Sequence, residues 1–330
     1  MKKIFLILLL VSFINFLFAQ SVKILTSGTK TSLRGLSVVS DKTVWVCGSS
    51  GTVGFTLDGG INWHWINVNG FEKRDFRDIE AFDDSTALIM AVDKPAYILK
   101  TSDAGKSWRT VYSNFEKGMF LDAMDFNKSN GVVIGDPIEG KFFVATTKDA
   151  GETWLDIPFA QRPKADSGEA CFASSGTNVR LLTNNKLVFI SGGVSSHFYL
   201  DKKKIFLPIL QGKESTGANS IAYKNKKMFV AVGGNFNAKN DRERNCFVTY
   251  NSGKTWSAPV ISPFGYRSCI EFIKQNTWIT CGLNGIDISL NNCKEFKSIS
   301  TEGFHVCRKS PSANIVYFAG SNGRVGSYKL

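Results

Sequence analysis

"TSDAGKSW" at residues 101–108 packs an aspartate, a glycine and a tryptophan into one polar turn. Asp103 could act there as a catalytic acid, as a calcium ligand or as the acceptor that shapes the turn. Its recurrence narrows the choice. "TLDGGINW" covers 56–63, "TKDAGETW" covers 147–154, and "TYNSGKTW" covers 249–256 with Asn251 in the aspartate position. "YLDKKKIF" at 199–206 and "SLNNCKEF" at 289–296 read as decayed copies. Successive copies lie 40 to 52 residues apart, from Asp58 through Asp103, Asp149, Asp201 and Asn251 to Asn291. A supersecondary unit repeating at that period means a solenoid, a propeller or an array.

The residues between the turns choose among these. In 34–66, "LSVV", "VWVCG" and "TVGFT" are short β-branched or apolar runs separated by "SDKT" and "SSG", and "WHWI" follows the "LDGGIN" turn. Residues 77–112 scan the same way, with no helical period. Four short antiparallel strands per repeat make a propeller blade. Inner strands are expected to begin near Leu36, Ile79, Ala123, Ala170, Ser220, Cys269 and Val306, which gives seven blades of about 44 residues. The last repeat has three strands, and "VKILTSG" at 22–28 is a strand without a blade. The expected fold is therefore all-β: a seven-bladed propeller of four-stranded antiparallel blades, the last completed by the N-terminal strand. Closure of this kind removes exposed edges.

Residues 1–19 carry Lys2 and Lys3 before an apolar run ending in the small residue Ala19, the pattern of a secretory signal peptide. Residues 20–330 then form one propeller domain, exported to the periplasm or the exterior, with no membrane span. The chain holds 40 lysines and arginines against 28 acidic residues, for a formal charge of +12. The lysines are scattered, with no nucleic-acid motif, so the expected partners are proteins or anionic glycans, and the expected state is a monomer. Seven cysteines fit no zinc spacing, and Cys269 and Cys281 flank a hairpin centred on Gln275, where they would face each other as a disulfide or as two thiols. Only His64, His197 and His305 are present, so neither a metal nor a cofactor is expected.

The turn motif, S/T-x-D-x-G-x-x-W, resembles the Asp-box or BNR repeat of sialidases, large xyloglucanases, sortilin-type receptors and the photosystem assembly factor family. The single ring is closest in style to the assembly-factor branch. The resemblance implies a propeller but no single activity, because the box serves enzymes and non-enzymes alike. It also implies that Asp58, Asp103, Asp149 and Asn251 accept hydrogen bonds within their turns, while Trp63, Trp108, Trp154 and Trp256 pack at the blade base. Ligands would then enter at the opposite mouth.

Aligned strand starts place Arg34, Arg77 and Arg267 at that mouth, with Asp78, Asp122, Glu169, Tyr266 and His305 around them. Three converging guanidinium groups suit a carboxylate or sulfate; the same residues also suit ion pairs between blades. Asp136 and Glu139 offer half of a glycosidase carboxylate pair, or a turn before Pro137. The function expected is a non-catalytic scaffold for a protein or anionic glycan. The alternative is a glycoside hydrolase of the sialidase or another BNR type acting on an acidic glycan.

Overall fold

The second strand of each repeat is apolar without alternation because neighbouring blades cover both of its faces. Val44–Gly48 and Ala87–Ala91 are buried at every position. A strand with one wet face would instead alternate. The computed structural model describes residues 21–27, 29–92 and 94–330; the expected signal peptide lies outside them. The described strands form seven antiparallel sheets, one per blade. Two single-turn helical segments, Phe159–Gln161 and Ser321–Gly323, are the only helical elements among the described residues.

Blade one comprises Leu33–Val38, Val44–Gly48, Thr52–Thr56 and His64–Asn67. Lys23–Thr26 pairs antiparallel with Val325–Lys329, bringing Lys23 opposite Ser327 and Ile24 opposite Gly326. The N-terminal strand is thus the outer strand of blade seven, and the ring closes through it. Six apolar clusters fill the gaps between blades. Burial of such surface, at about 25 cal/mol per Å² removed from water, is what holds the ring. Cys269 lies opposite Cys281, as the hairpin predicts, and all seven cysteines are free buried thiols.

Two blades depart from the expected plan. The inner strand of blade four is Val179–Leu181 and does not begin at Ala170. Residues 169–170 instead pair with Gly192–Gly193 at the inner edge of blade five, making that sheet five-stranded. The fourth strand of blade five shrinks to a single bridge between Val248 and Ser257.

The chain released from blade four crosses the channel. Ser174 O accepts from Arg34 in blade one, and Ala173 O accepts from Arg77 in blade two. Gly176 O accepts from Arg308 in blade seven, and Ser175 Oγ donates to Ser268 O in blade six. Thr177 Oγ1 donates to Ser220 Oγ in blade five. Residues 171–177 therefore form a plug tied to five blades, dividing the channel into two ends.

Candidate ligand-binding mouth

The recurrent turns behave as local acceptors. Asp103 Oδ1 accepts the Ser107 N–H at 2.9 Å and the Thr101 hydroxyl at 2.8 Å, while Thr101 Oγ1 accepts the Gly105 N–H. Asp58 and Asp149 are held the same way, and Asn251 Oδ1 accepts the Thr255 N–H. The hydrogen bonds that Asn62 and Ser107 donate bring Asp58 and Asp103 down to about 2. Each joins the third and fourth strands of its blade. Trp63, Trp108, Trp154 and Trp256 pack half-buried into the cluster shared with the preceding blade. The copy at 199–206 differs: Asp201 and Lys202 form a two-residue hairpin turn, and Phe206 is left 58% exposed.

The opposite mouth is built from β-bulges. The pairing of inner and second strands slips between Leu33 and Gly35, between Phe76 and Asp78, between Leu121 and Ala123, and between Ala218 and Ser220. The extra residue at each slip is Arg34, Arg77, Asp122 or Asn219, and each lines one cavity of about 370 Å³. Bulges re-aim side chains in this way beside functional sites. Ser268 and His305 hold the corresponding places in blades six and seven and line the same cavity.

That register corrects the arginine triad. Arg34 and Arg77 align with Ser268, not with Arg267, because a one-residue slip turns a side chain to the other face. Arg267 is 1% exposed and donates to Asp287 Oδ2 at 2.6 Å and to Asn284 Oδ1 at 2.6 Å. It is a buried ion pair away from the mouth. Asp78 is not at the mouth either: it sits below the plug and accepts the N–H groups of Met124 and Ile79. Burial pushes its carboxyl up to about 7, against the pull of Arg308.

Glu169 is displaced with its segment. It accepts from Tyr199 Oη, Lys204 Nζ, Ser191 Oγ and the Asp166 N–H, and lies 3.1 Å from His197 Nδ1. Burial opposes its ionisation, but these contacts, His197 foremost, hold it at about 2. Asp166, Glu169 and His197 converge as metal ligands do. Lys204 Nζ, 2.8 Å from Asp166 and 3.0 Å from Glu169, supplies a cation there already.

Five of the eight predicted residues, Arg34, Arg77, Asp122, Tyr266 and His305, do meet around the cavity. Arg77 pairs with Asp75 at 2.6 Å, whereas Arg34 meets no carboxylate among the described residues, only the Ser174 carbonyl. Burial, and then the Arg77 charge, lower the Arg34 pKa. His305 is held at about 4 by burial and by Arg34, so it is neutral at pH 7. Its Nδ1–H donates to Leu33 O at 2.9 Å. Asp122 is fully buried; the Ala173 backbone N–H approaches its carboxyl group, but no donor among the described residues reaches either oxygen in good hydrogen-bond geometry. Burial and Asp136 push its pKa well up, with Arg77 pulling the other way. Asp136 itself accepts the Cys171 N–H and, through burial, rises to about 6.

Phe120, Phe172, Phe236 and Leu283 give the cavity apolar walls that sequence reading missed. Phe172 belongs to the plug, and Phe236 and Leu283 stand in connections between second and third strands. The one hint was the 52-residue step from Asp149 to Asp201, the longest in the series.

Fold and turns together define a seven-bladed propeller of the BNR-repeat type. Within that class the chain is similar to the assembly-factor branch: residues 17–116 match the family model described as photosynthesis system II assembly factor YCF48. No curated protein matches. Among solved structures, YCF48 bound to D1 peptide is 14% identical with a TM-score of 0.69, covering 95% of this chain and 96% of its own. YCF48 from Cyanidioschyzon merolae is 14% identical with a TM-score of 0.63, covering 94% and 99%. The Neurospora crassa Pan2 WD40 domain is 12% identical with a TM-score of 0.59, covering 91% and 89%. At these identities the likeness is one of fold.

Proposed function

We propose that the chain is a non-catalytic binding scaffold whose partner is a protein segment bearing acidic groups, docked at the mouth lined by Arg34 and Arg77. The observation that carries this reading is Arg34: a guanidinium at the mouth with no carboxylate partner among the described residues, beside apolar walls. A guanidinium without a carboxylate partner, beside a second that keeps unused donors and next to aromatic surface, is an arrangement that can anchor an acidic segment. Support also comes from the similar fold of YCF48 bound to a D1 peptide. Export is part of the proposal, and Edman sequencing of the protein recovered from cell fractions should begin at Gln20 or Ser21.

An array of synthetic acidic peptides and acidic glycans, probed with wild type and with Arg34→Ala/Arg77→Ala, tests the reading. Peptides should bind the wild type, more weakly as salt rises, because exposed charges are screened over about 8–10 Å. The double variant should lose about 2–4 kcal/mol of binding free energy. Equal binding by both proteins refutes the site. Retention of glycans but not peptides moves the partner to the other class, and turnover of a glycan moves the chain to the glycosidases.

A further inference from the structure

Blade four lacks an aromatic wedge that its neighbours carry. In blade one Phe55 opposes His64, in blade two Lys100 opposes Arg109, and in blade three Thr146 opposes Leu155. The long turn between the members of each pair brings a tryptophan back into the gap toward the preceding blade, namely Trp63, Trp108 and Trp154. Trp256 and Phe296 fill the same place in blades five and six. In blade four Leu200 opposes Lys203, so Asp201 and Lys202 alone make the turn, and no residue is left to reach the gap. Phe206, last in the aligned copy, falls opposite His197 at the far end of the strand. Among the described residues, the apolar cluster between blades three and four accordingly takes no aromatic side chain from such a turn.

A cleft of about 620 Å³ remains there, with Ile157, Pro163 and Tyr199 as its apolar lining. Four cations border it against one carboxylate, that of Asp201. Lys204 is engaged by Asp166 and Glu169, and Arg162 gives its Nε–H to Ile157 O. Lys164 and Lys202 are exposed and have no ion-pair partner among the described residues. The cleft shares no lining residue with the Arg34 cavity. A gap that the fold elsewhere fills with an aromatic ring, edged by free ammonium groups, is complementary to an aromatic side chain flanked by acids.

We propose that this cleft docks a protein segment in which an aromatic residue lies between acidic ones. The ring takes the place of the missing tryptophan, and the acids meet Lys164 and Lys202. This is a second site, and it does not rest on the reading of the mouth.

Three peptides blocked at both ends, titrated calorimetrically into the full mature chain, test the proposal: Asp-Glu-Trp-Glu-Asp, Asp-Glu-Ala-Glu-Asp and Lys-Lys-Trp-Lys-Lys. With the mouth disabled by Arg34→Ala/Arg77→Ala, the acidic tryptophan peptide should bind about tenfold or more tightly than either of the others, because an aromatic anchor seated in a pocket carries most of the binding energy. Lys164→Glu/Lys202→Glu should weaken it by about tenfold or more, since like charges then face each other. The lysine pair is changed in the wild-type background as well, so the test stands even if the arginine variant misfolds. Equal binding of the tryptophan and alanine peptides overturns the proposal, as does equal binding of the acidic and lysine-flanked peptides. Absence of binding by the acidic tryptophan peptide at about 10 mM, a dissociation constant too weak to matter, overturns it too. Wild-type binding that vanishes with the two arginines but survives the lysine changes assigns the peptide to the mouth and overturns the cleft. Binding indifferent to the arginines and lost with the lysines supports the cleft and counts against the mouth.

Discussion

Asp103 and Trp108 belong to one turn but do different work. Asp103 satisfies its own turn's donors, and Asn251 does the same without a charge. Asp103→Asn should therefore change the thermal midpoint little and leave binding intact. Trp108 packs half-buried in the cluster shared by blades one and two. Trp108→Ala should cost about 2–3 kcal/mol, below the 3–5 typical of fully buried tryptophans. Chemical denaturation of the two variants checks the order, and an aspartate change worse than the tryptophan change would contradict the structural role of the turn. The arginines divide likewise. Arg267→Ala leaves Asp287 buried without its cation and should cost about 3–5 kcal/mol. Arg34→Ala removes no ion pair, so its melting curve should stay near wild type while its binding falls. If Arg34→Ala proved the less stable, Arg34 would be structural.

The blade explains what could be read from the sequence and what could not. Strand number, turn positions and closure were legible because each leaves a residue pattern: apolar second strands, polar turns, an orphan segment at 22–28. Register was not. The bulges at Arg34 and Arg77 add one residue before the aligned core positions, and nothing in "RGL" or "RDI" distinguishes a bulge from a regular strand start. Aligning them with "RSC" therefore promoted Arg267 in place of Ser268. The plug escaped for another reason: "CFASSGTN" has the composition of a strand and a turn, and only its length was unusual. Gly176 shows how tightly that element fits. Its φ is +64°, and a Cβ there would lie 2.2 Å from Asp78 Oδ1. Gly176→Ala should cost about 1–3 kcal/mol from strain alone, more with the clash, and should disturb ligand binding at the mouth. A variant as stable as wild type, with binding unchanged, would mean that the plug is not fixed as described.

Across the whole ring, buried acids of the channel couple stability to pH. Desolvation raises the fully buried Asp78 from 3.8 to about 7 and the half-buried Glu80, two residues further along the inner strand of blade two (Phe76–Ala81), from 4.5 to about 8. Between roughly pH 4 and pH 7 the folded state keeps protons on these groups that the unfolded chain has released. Stability therefore falls as pH rises through that window, by up to about 1.4 kcal/mol per unit for each group. Glu169, held at about 2, acts in the opposite direction but adds no slope above pH 4.5. His305, lowered from 6.5 to about 4, opposes the fall up to about pH 6.5 by up to about 1.4 kcal/mol per unit, against two acids that drive it. The thermal midpoint should be higher at pH 5 than at pH 8, and a rise over that range would contradict the burial of the channel acids. The ring also fixes which face meets a partner. The recurrent turns occupy one side, and the bulge residues open on the other. Phe236 borders the mouth at 39% exposure, and Ile61 stands on the turn side at 80% exposure. A photo-crosslinking phenylalanine analogue at each position, activated in cells that make the protein, reads the binding face directly. A discrete protein adduct is expected from position 236, abolished by Arg34→Ala/Arg77→Ala, and none from position 61. An adduct from position 61 alone, indifferent to the two arginines, would contradict it.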